Sequence, residues 1–212
     1  ACLPGEVTPP SGIQLGQRFP GALGIRGANA RHRPHRMLLA EGMGKGVTMD
    51  IIYFGGSAAA GIIGWATIFA TIIWPKMKQQ PRVQQLKSLT AIHFFRYFAT
   101  TVLIAGLVSR KLPSGFAEPT AFGDLISLGL AYIAFIGLQR SRAERPLLFP
   151  VWIFNIIGAA DLLLAMASGP VLIHDPGDLG LAYIVPTVYV PLLLVAHFYA
   201  LKVLSQRSSE KA

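Results

Sequence analysis

Charge is scarce in this sequence. Lys, Arg, Asp and Glu make up 14% of its residues, against about a quarter in soluble domains. The hydrophobic share is 52%, so the chain is solvated largely by lipid. Cysteine is nearly absent: Cys2 stands alone, which excludes an intramolecular disulfide and a thiolate metal cluster. No zinc-type ligand spacing, phosphate-binding glycine loop or RNA-binding aromatic signature occurs. The net charge of +9 would otherwise point to nucleic acid. Its basic residues, however, lie between apolar segments, where membrane topology accounts for them. A nucleophile–base pair, a metal-binding helix motif and a carboxylate dyad are also missing.

Residues 1–48 lack periodicity of either kind. They hold scattered Gly and Pro, six Lys or Arg and two Glu, with "RHRPHR" at 31–36. No continuous apolar core of a secretory signal occurs among them. The expectation is a disordered or artefactual extension, with translation starting near Met49. An Arg-rich targeting peptide is the alternative. Residues 49–204 then form the transmembrane helical domain, and 205–212 a polar cytoplasmic tail.

What is present is a series of five apolar segments, at about 52–74, 90–109, 122–139, 147–169 and 181–203. Each is near the roughly 20 residues that cross the hydrocarbon. The expected fold is therefore all-α, a polytopic transmembrane bundle of five spans. Basic residues assign its sides. Lys76, Lys78, Arg82 and Lys87 follow the first span without an acid, and Arg140, Arg142 and Arg145 follow the third. The tail has Lys202, Arg207 and Lys211, whereas the fourth connection has only His174, Asp175 and Asp178. This distribution predicts a cytoplasmic C-terminus and an outside N-terminus. Gly61 and Gly64, with Ala58 to Ala60, form a small face for close helix packing. Trp65 is expected to pack and Trp74 to anchor at the interface.

Ionisable groups inside spans are functional candidates by default because burying them in lipid is costly. Measured from the cytoplasmic side, Arg96, Asn155 and His197 lie at depths of roughly 10, 12 and 9 Å, with His93 somewhat nearer. His93, Arg96 and Thr100 share a helical stripe. Tyr183, Pro186, Val190 and His197 share another, and Pro186 and Pro191 bend that helix. Asp161, Asp124 and Tyr183 belong to an outer set. Asp161, in "NIIGAADLLLA", is too short and too deep to snorkel, so it needs a partner, a proton or water. Asp124 reads as a first-turn acid favoured by the helix dipole. Arg96 can snorkel to cytoplasmic phosphates. The candidate ligand-binding or relay residues are therefore Arg96, His93, Asn155, Asp161, His197 and Tyr183.

The stretches "HFFRYFATT", "FAEPTAFGDL", "WIFNIIGAADLL" and "AYIVPTVYVPLLLVAH" resemble an uncharacterised bacterial family of small multi-span membrane proteins. The resemblance covers about 49–204. It implies bacterial origin and the bacterial cytoplasmic (inner) membrane, and it transfers no mechanism.

Three functions follow as expectations. The first is a non-catalytic carrier, sensor or accessory subunit with a polar intramembrane pocket. In it Arg96 attracts a small anionic ligand, or the pocket serves a membrane-protein partner, and no cofactor is needed. The second is a b-type haem protein with His93 and His197 as axial ligands. The third is an intramembrane enzyme acting on lipid or quinone. Asp161 and His197 would be its acid and base, although their depths differ by roughly 10 Å.

Overall fold

The computed structural model describes residues 52–140 and 148–206, all within one compact unit, Ala40–Ala212. The expected extension, the start near Met49, Arg142 and Arg145, and the tail beyond Gln206 lie outside the described residues. Among the described residues four helices are long and apolar enough to cross a membrane: α1 Ile52–Met77, α3 Ser114–Arg140, α4 Leu148–Leu172 and α5 Val185–Ser205. The intervening segment is different. Its first part is the α-helix α2, Arg82–Ala91, and its second a 3₁₀-helix, Ile92–Leu103. No strand is formed among the described residues; the only bridge there joins Ala105 and Val108.

That 3₁₀ stretch changes the period of the second apolar segment. With three residues per turn, positions i and i+3 eclipse. The buried residues are accordingly His93, Arg96, Ala99 and Val102. The expected stripe of His93, Arg96 and Thr100 is corrected on this point: Thr100 turns sideways, and Ala99 takes the inward position. The hydroxyls of Thr100 and Thr101 donate to carbonyls three residues back, both at 2.7 Å. In α1, by contrast, Thr67 and Thr71 donate four residues back, as α geometry requires. A 3₁₀-helix also rises about 2.0 Å per residue. Arg82 to Leu103 therefore extends about 39 Å although α2 itself is short.

The segment runs from one end of the bundle to the other. At the first end Lys87 Nζ donates to Gln139 (3.1 Å) and Arg82 Nη2 to the Leu204 carbonyl (2.9 Å). The Lys202 ammonium sits 4.9 Å from the centre of the Trp74 ring, a cation–π contact. At the other end Val102 packs with Ala117, Ala121 and Ala182. There too Phe54, Phe116, Ile173 and Leu179 form one cluster. Backbone bonds tie this end together, Ser109 N–H to Asp178 (2.8 Å) and Leu181 N–H to Leu107 (3.0 Å). Gly180 has φ +50, and a Cβ there would overlap the Leu107 carbonyl.

α3 begins at Ser114, eight residues before the expected start of the third span, because Pro113 opens it rather than ending a loop. The Pro113 carbonyl accepts from the N–H groups of Phe116 and Ala117 at 3.0 Å. Asp124 is thus well inside the helix, not in its first turn. Its neighbours define two contrasting faces. Ala117, Ala121, Asp124, Ser127, Ala131 and Ala134 are buried, while Phe122, Leu125, Ile126, Ile133 and Ile136 are exposed.

α1 meets α5 where the small face was expected, with Gly61 and not Gly64 at the close approach. Pro191 has no N–H for the Thr187 carbonyl four residues earlier. That carbonyl lies against Gly61, where a Cβ would overlap it, whereas a Cβ at Gly64 meets nothing within 4 Å. A π-type turn, Val185–Tyr189, occupies the same stretch of α5. The indole of Trp65 donates to the Val188 carbonyl at 3.0 Å, so the bend freed by the prolines is held from α1.

Candidate functional site: a buried arginine clamped by two carboxylates

Arg96 is completely buried, at 0% exposure. It does not snorkel. Its position on the three-residue stripe aims it at α3 and α4, and every one of its donors has an acceptor. Nε donates to Asp124 Oδ1 of α3 and Nη2 to Asp161 Oδ2 of α4, each at 2.6 Å. The Gly158 carbonyl accepts from Nη1 at 3.3 Å and from Nη2 at 3.4 Å. Nη1 also reaches His197 Nε2 of α5 at 3.3 Å. A guanidinium has five N–H bonds and no acceptor, so this set uses all of them. No donor remains for the expected anionic ligand unless a carboxylate gives way.

The direction of the Arg96–His197 bond settles the imidazole tautomer. Arginine only donates, so Nε2 accepts and the ring proton sits on Nδ1. From there it donates to Asn155 Oδ1 at 2.9 Å. The Asn155 amide donates in turn to the Val151 carbonyl at 2.8 Å. A line of hydrogen bonds therefore leads from two carboxylates through Arg96 and His197 to the α4 backbone. Asn155→Leu is expected to strand the Nδ1 proton and cost about 1–3 kcal/mol. Chemical unfolding in detergent measures it; unchanged stability would show that this bond carries no weight.

Two glycines make the approach possible. A Cβ on Gly158 would stand 2.9 Å from Arg96 Nη1 and from the His197 ring. A Cβ on Gly123 would overlap the Asp161 carboxylate. Each acid thus depends on a glycine: Gly123 precedes Asp124 and faces Asp161, and Gly158 lies one turn before Asp161.

His93 completes the group without joining the hydrogen bonds. Its ring is fully buried, 4.1 Å from the His197 ring and 5.0 Å from Phe154, centre to centre. Both its nitrogens, like the Tyr189 hydroxyl, have no hydrogen-bond partner among the described residues. Axial ligation of a haem by His93 and His197 would need a porphyrin plane between the two rings. Rings in contact leave no such layer, and the pair as placed does not fit that group. No set of three or more His, Cys, Asp or Glu among the described residues is positioned to hold a metal ion.

The structure thus brings together five of the six candidates: Arg96, His93, Asn155, Asp161 and His197. The two expected depth layers merge, because the long arginine side chain spans them. Asp161 and His197 do not touch, yet both touch Arg96. Tyr183 stands apart, with its hydroxyl 3.2 Å from that of Ser57 and its ring edge-on to Phe54. Asp124, Gly123 and Gly158 belong to the site and were not expected there. The available signal was an acid following a glycine within an apolar run, by one residue in "FGDL" and by three in "GAADL".

The chain matches, over residues 53–205, the family described as Domain of unknown function (DUF8737). It belongs to that family. The matched region contains every residue of the Arg96 cluster. No curated protein and no solved structure matches the chain.

Proposed function

We propose that this chain is a membrane protein of five crossings, a non-catalytic carrier that takes up and releases a proton at the Arg96 cluster. The observation that carries the reading is the double ion pair: one fully buried guanidinium, held at 2.6 Å by carboxylates from two different helices. With both acids ionised and His197 neutral, the group has one negative charge in excess. Low-dielectric surroundings penalise an uncompensated charge heavily. One proton, shared between Asp124 and Asp161, brings the group to neutrality while Arg96 keeps both partners.

The faces of the helices support the membrane setting. Large apolar side chains such as Ile63, Ile72, Ile133, Ile156 and Leu164 are exposed, while alanines and polar groups face inward. That inversion of the water-soluble pattern suits a lipid solvent, where small residues make the helix contacts. The 3₁₀ segment supplies the fifth crossing, its charged group enclosed by neighbouring helices rather than by lipid. Lys87, Arg82 and Lys202 gather at one end of the bundle. The positive-inside rule then makes that end cytoplasmic and puts the N-terminal side of α1 outside. The resemblance to bacterial proteins favours the bacterial cytoplasmic membrane, with lipid as the partner and no cofactor required.

The test is purified protein in liposomes loaded with a pH-sensitive dye, driven by a potassium gradient and valinomycin. Wild type should move protons faster than protein-free vesicles, and Asp161→Asn should return the rate to theirs while still inserting. Wild-type flux equal to that of empty vesicles, or undiminished flux in Asp161→Asn, would refute the reading.

A further inference from the structure

Three cavities follow one another between Asp124 and the end of the bundle that carries the 173–184 connection. The innermost holds about 30 Å³ and is lined by Asp124 and Thr120 of α3, with Phe54, Gly169 and Leu179 beyond them. The next holds about 10 Å³. Phe54, Gly169 and Leu179 recur in its wall, joined by Ile173 and Pro176, so the side chains that line it are all apolar. The outermost holds about 370 Å³ and opens to the surface between Tyr53, Asp175, Pro176 and Tyr183. Each inner cavity thus shares a wall with the next one out. A space of roughly 10–15 Å³ admits one water, so the innermost has room for about two and the middle one is a constriction.

The carboxylate at the inner end is suited to receive what enters. Asp124 Oδ1 is engaged by Arg96. Oδ2 makes no protein hydrogen bond among the described residues, and the charged groups nearest to it are Arg96 and Asp161. On the far side of the cluster the packing is dense. Phe154, Leu86, Leu89 and Leu138 there are fully buried.

We infer that this series of cavities is the entry route by which a proton, carried by water, reaches the ion cluster. Phe54, Gly169 and Leu179 form its narrow apolar constriction, and the Asp124 carboxylate is its inner terminus. Hydronium arriving in the innermost cavity gives its proton to Oδ2 and leaves as water. This rests on the cluster being a proton-binding centre, and it adds the side from which that centre is served.

Gly169 allows the route to be closed without touching the cluster. A Cβ there has only an ordinary contact, 3.8 Å to the Phe116 ring, so the remainder of a leucine side chain projects into cavity space. In the liposome assay Gly169→Leu is expected to lose proton flux. Phe54→Ala, which widens the same constriction, is expected to raise it. Gly64→Leu, on an open face of α1, serves as the insertion control and should match wild type. Opposite effects at the two positions would separate blockage from general damage, since a protein that merely failed to fold would lose flux in both. Undiminished flux in Gly169→Leu with an active wild type would overturn the route and leave the proton-binding reading standing. An inactive wild type would instead remove that reading itself.

Discussion

Arg96→Leu alone is expected to destabilise the protein by about 3–5 kcal/mol, the cost of breaking a buried ion pair by removing one partner. The change leaves Asp124 and Asp161 buried without their shared cation. Arg96 is at 0% exposure, and the two carboxylate side chains are 5% and 20% exposed, so water cannot replace it well. His197 Nε2 and the Gly158 carbonyl lose their donor in the same step. The combined variant Arg96→Leu/Asp124→Asn/Asp161→Asn should recover much of the loss. Buried ionic groups replaced together by neutral ones are often tolerated, because no charge is left unpaired. Both variants are to be unfolded chemically in detergent beside wild type. A single variant as stable as wild type, or a triple variant less stable than the single, would show that the cluster is not the electrostatic unit described. In the liposome assay both should be inactive, since the triple variant keeps the fold and lacks the proton-binding carboxylates.

Gly61→Val is the second large effect. The Thr187 carbonyl and the Pro191 ring occupy the space any Cβ would enter, and neither can rotate away, being backbone and a closed ring. α1 must therefore move off α5, at about 1–3 kcal/mol for an overpacked contact. The shift also lengthens the bond from the Trp65 indole to the Val188 carbonyl. Gly64→Val, only three residues on, faces open space and should lie near wild type. Equal midpoints for the two variants in thermal unfolding would contradict the α1–α5 contact. The sequence pattern treats these two glycines alike, and only the position of Pro191 distinguishes them.

Several features of the site were legible beforehand because they depend on composition along one helix. An arginine, two histidines, an asparagine and an aspartate inside apolar runs are costly wherever the helices pack. His93, Arg96, Asn155, Asp161 and His197 could therefore be singled out one by one. Their grouping was less accessible. Depth counted from Cα positions put Arg96 and Asp161 in separate layers. The guanidinium lies at the end of a long side chain, and the 3₁₀ rise carries it further along the bundle axis than an α-helix would. Asp124 was misplaced for a local reason: the third apolar segment was taken to begin at 122, whereas α3 begins at Ser114 and accommodates Pro119 within it.

Composition and spacing by themselves determined that this is a helical chain with membrane-length apolar segments. They also determined which polar residues lie within those segments, since hydrophobic length and unpaired charge are properties of one segment at a time. Only the tertiary structure decided which carboxylates hold Arg96, that Gly123 and Gly158 admit them, and that the second segment turns every three residues to deliver the guanidinium inward. Those facts depend on the distance between helices distant in sequence, and that distance is set by side-chain volume at the contacts, for which no single segment holds the information.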